Sequence, residues 1–434
     1  MTAPTIQNTN LSEKLSASFD HVPKQNAVLT ATRLEALARF EALGFPSTRN
    51  EEWKYTSLKP ALSHDYDLDA TGTLAEADLQ PVLMPDGDGH VLVFVNGTYQ
   101  PAFSRIRPSD GIMLMTFGEA LEEQPALVEK YFAQIAGYQN DALTALNTAF
   151  AREGVFIHVP DGKTLEHPVY LYFISDGRQA KPFSQPRNLV VVGRGGAAKL
   201  VEVFHTIGGN SSFTNAVTEI SVGENASVEY YKMQDESENA HHVGTTQAHL
   251  SRDSRFAAYT ISLKGALLRN NLNLVLDGSN VEAHMYGLYL LDGTTHTDNH
   301  TLADHRQPNS YSNELYKGIL DGKSTGVFNG KVFVRQAAQK TNAFQSNRNL
   351  VLSREASMNT KPQLEIFADD VKCSHGATVG QLDEDMLFYL RTRGIPAENA
   401  RALLMRAFAE DVLTTISIAP FKEYVERFIA QRLD

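Results

Sequence analysis

The segment VKCSHGATVG, residues 371–380, holds the one cysteine of the 434-residue chain, Cys373, two positions before His375. In an extended segment these two side chains point to the same side, so a thiolate and an imidazole can be presented together. Both are ligands for iron or zinc, and a neighbouring imidazole can lower a thiol pKa. Two ligands do not close a metal site, however, and a lone cysteine is among the residues most often buried. The pair therefore reads either as half of a site shared with another chain or as a turn that accommodates a small thiol. A second concentration of ligating groups lies in HMYGLYLLDGTTHTDNHTLADHRQPNS, which carries His284, His296, His300 and His305. If adjacent strands brought them together they could hold iron or zinc and support a histidine-based metalloenzyme. The competing reading is a set of hydrogen-bonded structural histidines, and His241 and His242 in QDESENAHH read as solvated.

Other chemistries find no support. The chain has no Gly-rich phosphate loop ending in Lys-Ser/Thr, no dinucleotide fingerprint and no His-Glu-x-x-His. VGRGGAAK, residues 192–199, has the composition of a phosphate loop but sits between strand-like runs, where it reads as a corner. Asp277, Glu282, Asp292 and Asp298 are scattered among turns and do not form the paired carboxylates of glycoside hydrolysis. One cysteine excludes an internal disulfide and leaves any thiolate-rich cluster dependent on a second subunit. A formal charge of -12 without a compensating basic stripe argues against nucleic acid as partner. No window approaches the roughly 18 apolar residues of a membrane span, and no export signal is evident, so the expectation is a cytoplasmic protein without a membrane partner.

Three kinds of sequence would position these residues. Residues 1–150 read as a mostly helical domain with a short hairpin: VLTATRLEALARFEALGFP has helical spacing and a Gly-Pro stop, and VLVFVNGTYQ has an Asn-Gly turn between two strands. Within it, STRNEEWKYTSL sets the only tryptophan, Trp53, among charged groups, as a buried aromatic anchor or a docking surface. Residues 151–380 are short alternating runs of Val, Ile, Leu, Phe, Tyr and Thr broken by Gly, Asn, Asp and Ser. A phrase of apolar residue, polar turn and new strand returns there every 26 to 32 residues, with one gap of 44 containing a similar phrase. That period fits stacked coils of a parallel β-helix better than a β-sandwich, whose hairpins need no recurrent phrase. Residues 381–434 return to helical spacing. In GIPAENARALLMRAFAEDVLTTI, Pro396 suits a helix start, and Ala400, Leu403, Leu404, Ala407 and Phe408 make an apolar stripe able to receive a partner. These helices would cap the end of the strand solenoid.

EEWKYTSL, the strand-rich middle with THTDNHT, and KCSHGATVGQLDEDMLFYLRTRGIPAENARALLMRAFAEDV together resemble the SufB/SufD family of iron–sulfur cluster assembly proteins across essentially the whole chain. The resemblance implies a mainly β fold, a right-handed parallel β-helix core flanked by helical N- and C-terminal regions. It implies a non-catalytic subunit working with SufB and the SufC ATPase, or a homodimer in isolation. SufB would pair through the β-helix ends, and SufC would dock on the C-terminal helices, about residues 383–425 here. His375 would be the residue at the SufB interface that helps hold a nascent cluster, with Cys373 beside it. No cofactor would be held stably by the isolated chain; iron or an iron–sulfur cluster would be shared transiently with SufB. One departure bears on the role: SufB resembles this chain near FYLRTRGI but has its scaffold cysteine where this chain has Leu390, so thiolates must come from the partner. A structural partner that supports SufB and SufC without ligating metal is the alternative.

Overall fold

The computed structural model describes residues 10–21, 27–84 and 88–433. From Arg187 to Gly380 the chain winds back and forth between two ten-stranded sheets, consecutive strands falling in alternate sheets. On one sheet the strands starting at Ser227, Arg255, Glu282, Tyr311, Asn342 and Lys372 are parallel neighbours, 27 to 31 residues apart. This is a parallel β-solenoid, with the coil length that the recurrent phrase predicts. One corner repeats in atomic detail. Asn225, Asp253, Asn280, Asn309 and Lys340 all adopt left-handed φ between 55 and 64°. The N–H of each donates to a carbonyl of the next coil: those of Arg252, Ser279, Pro308, Gln339 and Asp370. Asn and Asp tolerate that backbone best, which explains the polar turn in each phrase.

Alternation along each strand separates an inner from an outer side. Between the sheets lie Leu171, Leu200, Val228, Ile220, Leu274, Met285 and Phe328, all nearly inaccessible. Phe94, Phe173 and Phe204 stack along successive coils with ring centroids 5.1 and 5.0 Å apart. The outer sides are covered by the flanking helices. Ala27–Leu43 and Ala142–Phe150 belong to a core that includes Leu189, Phe213, Val243 and Leu267 of one sheet. Beneath them the fully buried Arg187–Glu219 pair, 2.5 Å apart, also receives the backbone N–H groups of Ala133, Ile135 and Ala136.

Two expectations need adjustment. The hairpin forms, with Asn96 and Gly97 both at positive φ, but its first strand, His90–Val95, pairs in parallel with Val169–Gly177 and so extends the solenoid sheet. The C-terminal helices Ala397–Leu413 and Ala419–Leu433 do not cap the solenoid. They lie across the outer side of this same sheet, where Met405, Val412, Phe421 and Val425 pack on Tyr231, Tyr259, Leu288 and Ile319. The reason is the outward row of Tyr231, Tyr259 and Tyr286, stacked at 4.4 and 5.0 Å, an apolar surface too large to leave in water. No helix among the described residues is long and apolar enough to cross a membrane.

Candidate functional site at the open end of the solenoid

The sheet that begins with the hairpin ends with the strand Lys372–Gly380, which carries both Cys373 and His375. This strand pairs with Asn342–Val351 on one side, Ala343 opposite Cys373 and Gln345 opposite His375; among the described residues no strand pairs with its other edge. Such an edge presents unpaired backbone donors and acceptors to any incoming strand. Around it the rim is apolar and open: Phe344, Ile366, Phe367 and Val379 are exposed by 37, 38, 59 and 51%.

The two side chains separate in character. Cys373 is half-buried against Val332, Val334, Ala338, Ala343 and Ala368. Burial pushes its thiol up from the ordinary value, opposed by a backbone hydrogen bond at Ala343. A thiol so placed is protonated near neutrality and is a poor nucleophile or ligand until something displaces its proton. His375 is exposed. Alternation sets it on the inner side of its strand, but no further coil covers it, so its imidazole is available to whatever closes the solenoid.

The four histidines at 284–305 do not converge. His284 is on the outer side of one sheet, 2.9 Å from Glu282. His305 is inside the solenoid, where Nε2 meets Ser312 Oγ at 2.8 Å. His296 and His300 lie on the outer side of the second sheet, flanking Asp298, and with it anchor the EEWKYT segment. Trp53 is 6% exposed, and the Arg269 guanidinium sits 4.1 Å from its ring centroid. Arg269 Nη1 donates to Asp298 Oδ2 at 2.6 Å and to the Glu52 carbonyl at 2.7 Å. His300 bridges Asp298 at 3.0 Å and Glu52 at 3.3 Å, and Thr56 Oγ1 donates to Asp298 at 2.5 Å. Burial acts to raise the Asp298 carboxyl, yet Arg269 and His300 outweigh it and hold it well below the usual carboxylate range. Trp53 is thus an anchor, and a polar cleft of about 270 Å³ lies beside it, lined by Gln247, Asn271, Asn273, His300 and Lys331. His241 and His242 are buried rather than solvated, because the strand Ala240–Leu250 starts at that point; His242 Nδ1 meets Glu236 at 2.9 Å. Among the described residues no three His, Cys, Asp or Glu side chains group as a metal site.

The C-terminal stripe is rotated from the expected one. Ala400, Ala402, Met405, Ala409, Val412 and Leu413 are buried, and Leu404 and Phe408 are half-buried, the latter under Lys317 Nζ at 4.5 Å. Pro396, Leu403 and Ala407 face outward. The helix Glu384–Thr392, capped by Asp383, adds Met386, Phe388 and Tyr389, exposed by 49, 67 and 52%, beside Leu403 at 46%. These three were not singled out from the sequence. The signal was present in MLFYL, an apolar run on a helix whose one buried side chain is Leu387.

Comparison with known proteins accords with this architecture. Residues 11–171 match the family described as the SufBD protein N-terminal region, and residues 173–408 the SufBD core domain of the SUF system for FeS cluster assembly. An iron–sulfur cluster assembly SufBD family protein of Synechocystis is 33% identical over 98% of this chain and 97% of its own length. The iron–sulfur cluster assembly proteins SufD of Escherichia coli and Bacillus subtilis are 30 and 28% identical, over 90 and 96% of both chains respectively. The two family matches define the class, proteins of the machinery that assembles iron–sulfur clusters. The chain belongs to the SufB/SufD family of the SUF iron–sulfur cluster assembly system.

Proposed function

We propose that this chain is the SufD-type member of its family, a non-catalytic cytoplasmic subunit that pairs with SufB across the open end of the solenoid and receives the SufC ATPase on its C-terminal helices. In this reading it supports iron acquisition and nascent cluster formation at the SufB interface, coupled to ATP hydrolysis by SufC. The observation that carries the proposal is the final strand, unpaired along one edge, ringed by exposed apolar side chains and presenting His375 to the incoming surface. His375 is the ligand this chain would offer to iron or cluster, and the thiol of Cys373, buried and raised, is the lesser contributor. Leu390, half-buried on the helix Glu384–Thr392, offers no ligand, so thiolates come from SufB. A second copy can use the same edge when SufB is absent, giving a homodimer.

Co-expression with SufB and SufC tests the reading. The expected result is a stable three-component complex in which His375→Ala preserves assembly of the subunits but lowers cluster content. No complex would refute the pairing. A complex with unchanged cluster content in the His375→Ala variant would leave this chain as a structural partner only.

A further inference from the structure

Directly beneath His375 lies a short inner column. In successive coils Glu314, Gln345 and His375 occupy the same register position of one sheet. Glu314 and Gln345 are 1 and 3% exposed, so neither can be hydrated from bulk solvent. Gln345 Nε2 donates to Glu314 Oε2 at 2.8 Å. Once ionised, the Glu314 carboxylate accepts and does not donate, which turns the amide nitrogen toward Glu314 and its oxygen away. That oxygen, Gln345 Oε1, is buried and has no hydrogen-bond partner. On the facing strand Gly330 keeps the space clear, since a Cβ there would come within 2.4 Å of Gln345 Nε2. The next rung of the column, one strand spacing further on, is His375.

We propose that Gln345, held by Glu314, is the positioning residue for His375: its Oε1, without a partner in the structure, takes the N–H of one imidazole nitrogen when the exposed ring turns inward over it, and so selects which nitrogen faces the shared site. An unpaired buried acceptor is costly, and a hydrogen bond to the far nitrogen of a ligating histidine is the usual device for fixing tautomer and ring orientation. The inference rests on the reading of His375 as a ligand, but its test does not depend on cluster loading. The full chain, labelled with ¹⁵N-histidine, is compared by ring-nitrogen NMR at about pH 8.5, where Glu314 is ionised, with the His375 signals assigned by their loss in His375→Ala. In the wild-type chain His375 gives one protonated and one unprotonated nitrogen resonance, a single tautomer. Gln345→Met, close in shape and without an acceptor, collapses the two toward their average. Glu314→Gln, which still accepts from the Gln345 amide, leaves them separate and controls for damage to the core. Wild-type signals already averaged, or unchanged signals in Gln345→Met, would overturn the proposal. So would a collapse caused by Thr360→Val instead, because the Thr360 hydroxyl, on the neighbouring strand Ser357–Ile366, is another buried group without a partner. If the tautomer shifts as expected but His375→Ala does not lower cluster content in the complex, the column stands and the ligand reading fails.

Discussion

Replacing Asp298 by alanine should release the EEWKYT segment from the solenoid while leaving the solenoid folded. The substitution leaves the Arg269 guanidinium, 3% exposed, without its carboxylate and removes the acceptor of Thr56 and the partner of His300. Breaking a buried ion pair by deleting one partner costs about 3–5 kcal/mol. What holds the segment is chiefly the burial of Trp53, roughly 200 Å² at about 25 cal/mol/Å², or about 5 kcal/mol before the cost of ordering the chain. The two quantities are comparable, so a substantial fraction of molecules should have Trp53 in water at 25 °C. Trp53 is the only tryptophan, and its fluorescence therefore reports this contact alone. The expected result is a red-shifted emission with increased acrylamide quenching, against an unchanged β-sheet circular dichroism signal. Arg269→Met combined with Asp298→Leu should be less damaging than Asp298→Ala, since no orphaned charge remains. Acid should mimic the single substitution. The Asp298 carboxyl is held below its unfolded value near 3.8, so its contribution is present above that pH and is lost as pH falls through the depressed folded value. Trp53 that stays shielded in Asp298→Ala, with an unchanged melting profile, would refute the assignment of this network as the anchor.

Other expectations follow from the buried charges and the exposed helix faces. Burial, only partly offset by Thr301 and Gln345, pushes the Glu314 carboxyl up to about 7 from 4.5, so the folded state loses stability as pH rises between these values. Glu314→Gln should flatten that slope in urea unfolding, by roughly 3 kcal/mol at pH 8. Lys317 is 4% exposed, pairs with Asp411 and donates to the Phe408 carbonyl at 2.7 Å. Lys317→Met should loosen the helix Ala397–Leu413 by about 1.5–3 kcal/mol, read as faster amide hydrogen exchange there. Phe388→Asp with Leu403→Asp should abolish co-purification with SufC without changing the melting temperature of the isolated chain, because neither side chain is buried in it.

The solenoid was legible because its corners repeat: each of the five corners described holds a left-handed φ, and Asn or Asp marks four of them in the sequence, Lys340 being the exception. The anchor was half legible. His296, Asp298 and His300 share one side of a strand by parity and His305 has the opposite parity, which alone separates the histidines into two environments. What parity cannot give is the partner across space, and Trp53 meeting Arg269 over 216 residues of chain has no local signature. The rotated C-terminal stripe fails for a related reason. The helix Ala397–Leu413 has apolar residues on two faces, and which one turns inward is decided by the tyrosine row of a distant sheet.

The left-handed corners and in-register strands also mean that each coil is stabilised by the coil on either side of it, and the last one has only one such neighbour. The strand bearing Cys373 and His375 should therefore open more readily in the isolated chain than the strands of the inner coils. Under the proposed pairing its amide protection should rise with partner concentration by mass action, which would make that protection a readout of how complete the complex is.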